Sequence, residues 1–420
     1  MAYNISGDNF GKEEFLMLKT FKVKALAFVG LFFCVAVNAK PKVNLSVWAD
    51  DGTLNVVSKR LSEFKSFYSK EAAFNFTVIE QPSAYCASDL MANPELAADV
   101  FVFADDQIET LIDQQLLLEI PEDIAKKVSD EYNGSSSAAV KTASMDGKLY
   151  AFPQLSGNGY FLYYNKKYIS ADDVGSFEQI LKVASQNNKQ VAMDLKNGWY
   201  LYSFFKAAGL EVYRNNGAKN FCNWNATNTK FKGIDVAKAI IKLASNPAFV
   251  SASSEDTLSL IKEGKVVAAV SGAWNANLIS EMWGKDYAAV KLPTYNLNGT
   301  DLQMYSFAGY KMVGVKAGSD NKEWALKLAE WLSDEKTQLM ICQSKGECPV
   351  NLNAASNPLV KKSPAIAAMA EQTKYSTTQR IGGSFWNPAL VLGVVLSDGK
   401  NLSDQEIQSQ LDVTVRNIRN

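Results

Sequence analysis

The 420-residue chain contains no histidine. That removes the commonest general base, the commonest metal ligand and the Ser–His and Cys–His nucleophile pairs, so many enzyme classes fall away at once. Cysteine is scarce: Cys34, Cys86, Cys222, Cys342 and Cys348 are the whole supply. None forms a C-x-x-C pair or a zinc-site spacing, and no histidine completes a mixed site, so neither a metal nor a cofactor is expected. Cys342 and Cys348 bracket the turn-like stretch Gln343-Ser344-Lys345-Gly346-Glu347. In an oxidising compartment they either pair locally or stay ordinary free thiols. A charge excess is absent too. With 43 basic against 44 acidic side chains, nothing points to nucleic acid or an anionic membrane as partner.

No apolar run reaches the roughly 20 residues that span a bilayer. A shorter run stands near the start. Lys19, Lys22 and Lys24 precede Ala25–Val37, and Val37-Asn38-Ala39 places small residues before Lys40. A basic region, a dozen apolar residues and an A-x-A-like end describe a secretory signal peptide over 1–39. Glu13 and Glu14 are out of place in a basic region, which favours Met17 as the true start over an amino-terminal extension. Phe32-Phe33 makes a poor lipobox before Cys34, and the apolar run continues past it. Cleavage after Ala39 is therefore expected over a lipid anchor at Cys34, giving a soluble periplasmic chain that begins near Lys40.

The 420-residue chain, 47% hydrophobic, is long enough for two or three domains, and after Ala39 it has no repeat or low-complexity linker. Short β-like runs alternate with helical ones. Strands are expected at Val43–Trp48, Phe74–Ile79, Asp99–Phe103, Tyr160–Tyr164, Val266–Val270 and Tyr310–Val315, from their alternation or continuous apolar character. Apolar residues at helical spacing predict helices at Val56–Tyr68, Gln107–Gln115, Val236–Ala244, Asp256–Lys262 and Glu323–Leu332. Strands alternating with helices argue for α/β lobes. Asp50-Asp51-Gly52 follows the first strand and Asp105-Asp106 the third. Ligands in open α/β sheets sit beyond the carboxyl ends of strands, so both acidic pairs are candidates for one polar rim. The plainer reading is that these aspartates cap the helices that follow.

The order of motifs is more specific. WADDG; DVFVFADDQ followed by LLLEI; DGKLYAFPQ running into LYYNKKY; GKVVAAVSGAWNAN; LPT; FAGYKMVGV; and GSFWNPA appear in that order between about Lys42 and Asn420. The series resembles the bacterial maltose/maltodextrin-binding proteins of ABC importers. DGKLYAFP before a YYNK strand is a strong marker of that superfamily, and GAW and SFW point to its maltose-type branch.

The chemistry of a neutral sugar explains such residues independently. Its ring faces offer C–H patches that aromatic rings cover, and its hydroxyls donate to carboxylates and amides. The resemblance implies that Trp274 and Trp386 stack on sugar faces, that Trp199 stands where the family carries a stacking tyrosine, and Tyr202 near another aromatic. It implies that Asp50, Asp51 and Asp105 or Asp106 hold sugar hydroxyls. A single tryptophan is more often packing than ligand contact, and Trp324 and Trp331, seven apart on a helical stretch, are such core candidates. Trp274 and Trp386 escape that reading because glycines and Pro388 make their flanks loop-like. Asn158 and Asn197 replace glutamates of the family pattern, and Ala276 replaces a second tryptophan, so a shorter or different oligosaccharide becomes an alternative.

The implied fold is α/β, a two-lobe periplasmic-binding-protein fold (type II) with the ligand cleft at a hinge. The amino-terminal lobe is expected over 40–157 and 301–352, the other over 158–300 and 353–420. The implied partners are an oligosaccharide and the membrane subunits of an ABC importer, with the binder a monomer. Hinge closure around the sugar would create the form an importer recognises. A secreted glycoside hydrolase using two carboxylates is the rival. It is disfavoured because the cleft carboxylates are expected in open, hydrated loops, which do not raise a pKa. An adhesin or chemoreceptor-partner role would add to binding.

Overall fold

In the structure, a computed structural model, the described residues are 40–132, 134, 137–157, 159–214, 219–398 and 401–420. The expected signal segment 1–39, including Cys34, and the expected site residue Asn158 lie outside them. Eleven strands build two main sheets. In chain order they are β1 (Lys42–Ala49), β2 (Ala73–Glu80), β3 (Val100–Ala104), β4 (Phe152–Ser156), β5 (Tyr160–Asn165) and β6 (Gln190–Ala192). They continue with β7 (Phe249–Val250), β8 (Val266–Gly272), β9 (Tyr287–Val290), β10 (Tyr310–Val315) and β11 (Cys348–Pro349).

The six-stranded sheet has the order β11-β4-β10-β3-β1-β2, with β1 parallel to β2 and β3 and with β10 antiparallel to β3. Alternation along β1 turns Val43, Leu45 and Val47 into a core that Val57, Leu61 and Phe64 of the helix Leu54–Phe67 cover. Strand β3, VFVFA, is buried along its whole length, as a central strand covered on both faces must be. Trp324 and Trp331 pack edge-on against Phe64 in this lobe, at 6.4 and 5.7 Å between ring centroids.

The five-stranded sheet has the order β7-β6-β8-β5-β9. Strand β5, YFLYYN, shows why it lies in the middle. Tyr160, Leu162 and Tyr164 enter one apolar cluster, while Phe161 and Tyr163 point to the other face and a second cluster.

The chain is thus a two-lobe α/β fold, and it crosses between the sheets at glycines. Gly157, between β4 and β5, has φ +121°, a backbone that side-chain-bearing residues rarely adopt. Its N–H donates to the carbonyl of Gly309, just before β10, at 3.3 Å. The outgoing and returning segments therefore lie side by side. No helix among the described residues is long and apolar enough to cross a membrane.

Candidate functional site

A cleft of about 590 Å³ opens between the lobes. One wall comes from the five-stranded lobe: Asp194 and Lys196 after β6, Asn197, Gly198 and Trp199 at the start of the helix Gly198–Ala207, Trp274 after β8, and Gln379, Trp386, Asn387 and Leu390. The six-stranded lobe supplies Ser83, Ala84, Tyr85, Ala104 and Asp106.

Small residues bring the tryptophans together. Gly272 ends β8, and a Cβ there would lie 2.0 Å from the Trp274 ring, so the ring folds back over the strand end only because the residue is glycine. A Cβ on Gly198 would lie 2.4 Å from the Cβ of Ala389, and one on Gly393 would lie 2.2 Å from the Leu195 carbonyl oxygen. The helix Trp386–Asp398 therefore sits directly against the start of the helix Gly198–Ala207, placing Trp386 and Trp199 on one wall. The Trp199 and Trp274 rings lie 5.6 Å apart, tilted by 32°. Asn197 caps its helix, its Oδ1 accepting from the Trp199 N–H at 3.0 Å, and still lines the cleft.

The carboxylates divide by depth. Asp106 lines the cleft. Its Oδ2 accepts from Gln379 Nε2 at 2.9 Å, while its Oδ1 is buried with no partner among the described residues. Burial pushes its pKa up to about 6, against the hydrogen bond from Gln379. Asp105 lies fully buried behind it, its Oδ1 accepting from the Tyr310 N–H at 3.0 Å. Burial and then the Asp106 charge push Asp105 up to about 7. Burial also raises Asp194. The expectation of open, hydrated cleft carboxylates is thereby overturned, because strand β3 carries Asp105 and Asp106 into the protein instead of out to solvent.

Gln379 joins the lobes: its Oε1 accepts from Trp199 Nε1 at 2.7 Å, opposite its bond to Asp106. Beside it Arg380 donates to the carbonyls of Asp105 (3.3 Å) and Thr142 (3.2 Å). Glu109 of the six-stranded lobe faces Arg214 at 2.9 Å and Arg380 at 3.8 Å.

Of the expected site residues, Asp106, Asn197, Trp199, Trp274 and Trp386 line this cleft, and four others lie elsewhere. Asp50 neither caps a helix nor faces the cleft. It is buried, with Lys311 Nζ 2.6 Å from its Oδ2 and the Ser83 N–H 2.9 Å from its Oδ1. Burial alone would raise it, but the charges of Lys311 and Lys345 outweigh burial and hold it at about 2. Asp51 is exposed, and its carbonyl accepts from Lys345 Nζ. Asp105 is sealed behind Asp106. Tyr202 is fully buried, its ring stacked on Phe307 at 3.8 Å. Cys342 and Cys348 are free thiols in the structure. The stretch between them is no simple turn, because the helix Glu335–Lys345 runs through Cys342 to Lys345 and ends at the left-handed Gly346.

The cleft also contains residues not expected from the sequence: the Ser83–Tyr85 turn, Asp194, Lys196, Gln379, Asn387 and Leu390. Asp194 was within reach of the strand-end rule, since it follows β6 as Asp106 follows β3. Gln379 carries no such signal.

Comparison with known proteins adds four findings. A family model described as bacterial extracellular solute-binding protein matches residues 63–368. The galactooligosaccharide-binding protein of Bacillus subtilis (strain 168) is 29% identical over 363 residues, 82% of each chain. The maltodextrin-binding protein of L. casei BL23, solved without ligand, superposes with a TM-score of 0.74 at 25% identity, covering 90% of this chain and 99% of that one. A second solved structure, with acarbose, gives a TM-score of 0.79 at 27% identity, covering 91% of this chain and 99% of the other.

Proposed function

Because this chain belongs to the bacterial extracellular solute-binding proteins, we propose that it captures a neutral oligosaccharide between its lobes and passes it, unaltered, to the membrane subunits of an ABC importer. The observation that carries this reading is one cleft holding three tryptophans together with Asp106, Asn197, Asn387 and Gln379. The rings cover sugar C–H faces, and the polar groups take the hydroxyls. The buried, unpartnered Oδ1 of Asp106 is costly as it stands, and a sugar hydroxyl supplies the missing donor. Closure follows from differential affinity: the second lobe gains its sugar contacts only when the cleft shuts. The side-by-side glycine crossings supply the hinge.

The ligand is a maltodextrin-type oligosaccharide in this reading, and a galactooligosaccharide is the alternative carried by the Bacillus subtilis relative. The protein acts as an exported monomer. Hydrolysis is the competing class, since Asp106 and Asp194 both line the cleft and burial raises both. A thermal-shift panel of maltose, maltotriose and galactotriose on the purified chain, with chromatography of each sugar afterwards, separates the readings. A binder is stabilised in proportion to the logarithm of ligand over Kd and returns the sugar intact. Products that scale with protein and vanish in Asp106→Asn hand the case to a hydrolase.

A further inference from the structure

We infer that Tyr85 is the sugar platform of the six-stranded lobe, that it determines which chain lengths bind, and that the ligand has three or more sugar units. This rests on the oligosaccharide reading of the cleft. Tyr85 lines the cleft from the lobe opposite the one that carries the tryptophans, yet the residue is 63% exposed. A ring that exposed contributes little burial energy to the fold. The turn beneath it is nevertheless firmly held. Gln107 Nε2 donates to the carbonyls of Ser83 and Ala84 at 2.7 and 3.3 Å, and its Oε1 accepts from the Ala87 N–H at 2.7 Å. The Ser83 N–H donates to the buried Asp50 at 2.9 Å, and Cys86, the next residue, is fully buried. An open aromatic on a fixed backbone is a preorganised stacking surface, which loses little entropy on binding.

Chain length follows from the number of platforms, one sugar ring to each. Trp199 and Trp274, 5.6 Å apart, form one. Trp386 is a second, on its own helix, with its ring against Phe385 at 5.0 Å. Tyr85 is a third and comes from the opposite lobe. Three platforms on separate elements suit an extended chain of sugars.

Titration calorimetry of the parent, Tyr85→Ala and Tyr85→Phe with glucose, maltose, maltotriose and maltotetraose, and with the matching galactose series, tests this. Tyr85→Ala is expected to weaken trisaccharide and longer ligands about tenfold, to change mono- and disaccharide binding less than twofold, and to keep the parent melting temperature without sugar. Tyr85→Phe should bind as the parent. Unchanged trisaccharide affinity in Tyr85→Ala, or an equal loss at every length, overturns the inference while the oligosaccharide reading stands. Failure of the parent to bind any sugar removes both.

Discussion

Gln379 spans the cleft from Trp199 to Asp106, accepting from the indole Nε1 at 2.7 Å and donating to the carboxylate Oδ2 at 2.9 Å. One amide therefore orients the ring of one lobe and the acceptor of the other. It is 5% exposed, and truncation leaves an indole N–H and a carboxylate oxygen without partners. Gln379→Ala is expected to lower sugar affinity about 10- to 100-fold, whereas Gln379→Glu should be worse because it sets a carboxylate against Asp106. A calorimetric Kd for Gln379→Glu below that of Gln379→Ala would contradict this account.

Affinity should depend on pH through Asp106. Burial raises its carboxyl to about 6 in the ligand-free protein, with Asp105 behind it raised to about 7 and Arg380 alongside. The two aspartates titrate as a coupled pair. A hydroxyl donated to Oδ1 favours the ionised form, so the bound state has the lower pKa. Binding is then tightest above about pH 7 and weakens as pH falls through 6, by at most about tenfold per unit. Asp106→Asn should bind more weakly at neutral pH and show a flatter profile between pH 5 and 7. A parent Kd that is constant over that range contradicts the role given to Asp106.

Lys311 holds the structure behind the turn that carries Ser83 and Tyr85. Its Nζ lies 2.6 Å from Asp50 and 3.0 Å from Glu347; both carboxylates are buried, and the lysine side chain is 12% exposed. Burial would lower its pKa, but the two carboxylates hold it above the ordinary lysine value. Lys311→Met leaves the two buried carboxylates with only Lys345, 3.2 Å from Glu347, to offset them, an expected loss of about 3 kcal/mol, the low end for a broken buried pair. Scanning calorimetry should show a fall in melting temperature on the order of 5–10 °C. A variant that melts within a degree of the parent would mean that the triad adds no stability.

What was legible in the sequence follows from range. The alternation of β1, the apolar run of β3 and the helical spacing of Leu54–Phe67 are local patterns whose order gives the α/β character, while the two-lobe arrangement is implied by the family resemblance of the motif series. The strand-end rule led to Asp106, and the glycine beside Trp274 marked a ring outside the core. Asp50 obeys the same rule and still faces away from the cleft, because its partner Lys311 is 261 residues distant and invisible to any local pattern. Tyr202 shares a helix with Trp199, but GWYLYSFFKA is apolar on every side and buried throughout its first eight residues. No periodicity distinguishes its cleft face from its core face. Gln379 follows a three-residue strand, Ser376–Thr378, that pairs with Ser306–Ala308, and only that pairing carries it to the cleft.

Trp274 and Trp386 give the most direct test of the cleft as a sugar site. Both are half-buried, both line it, and each follows a glycine-bearing turn at the edge of the core. Stacking of planar ligands on aromatic side chains is worth about 1–3 kcal/mol per ring, and sugar C–H faces should fall toward the lower end. Each alanine variant should therefore weaken binding roughly 5- to 100-fold. The rings are not equivalent in the fold. Trp274 contacts Trp199 at 5.6 Å and covers Gly272, while Trp386 leans on Phe385 at 5.0 Å. Because neither is fully buried, the ligand-free melting temperature should drop by only a few degrees, less than for a true core tryptophan. Intrinsic fluorescence should change when sugar is added to the parent and lose part of that change in each variant. If Trp386→Ala binds every sugar as the parent does but unfolds at a much lower temperature, its ring is a packing residue, and the stacking wall reduces to Trp199 and Trp274.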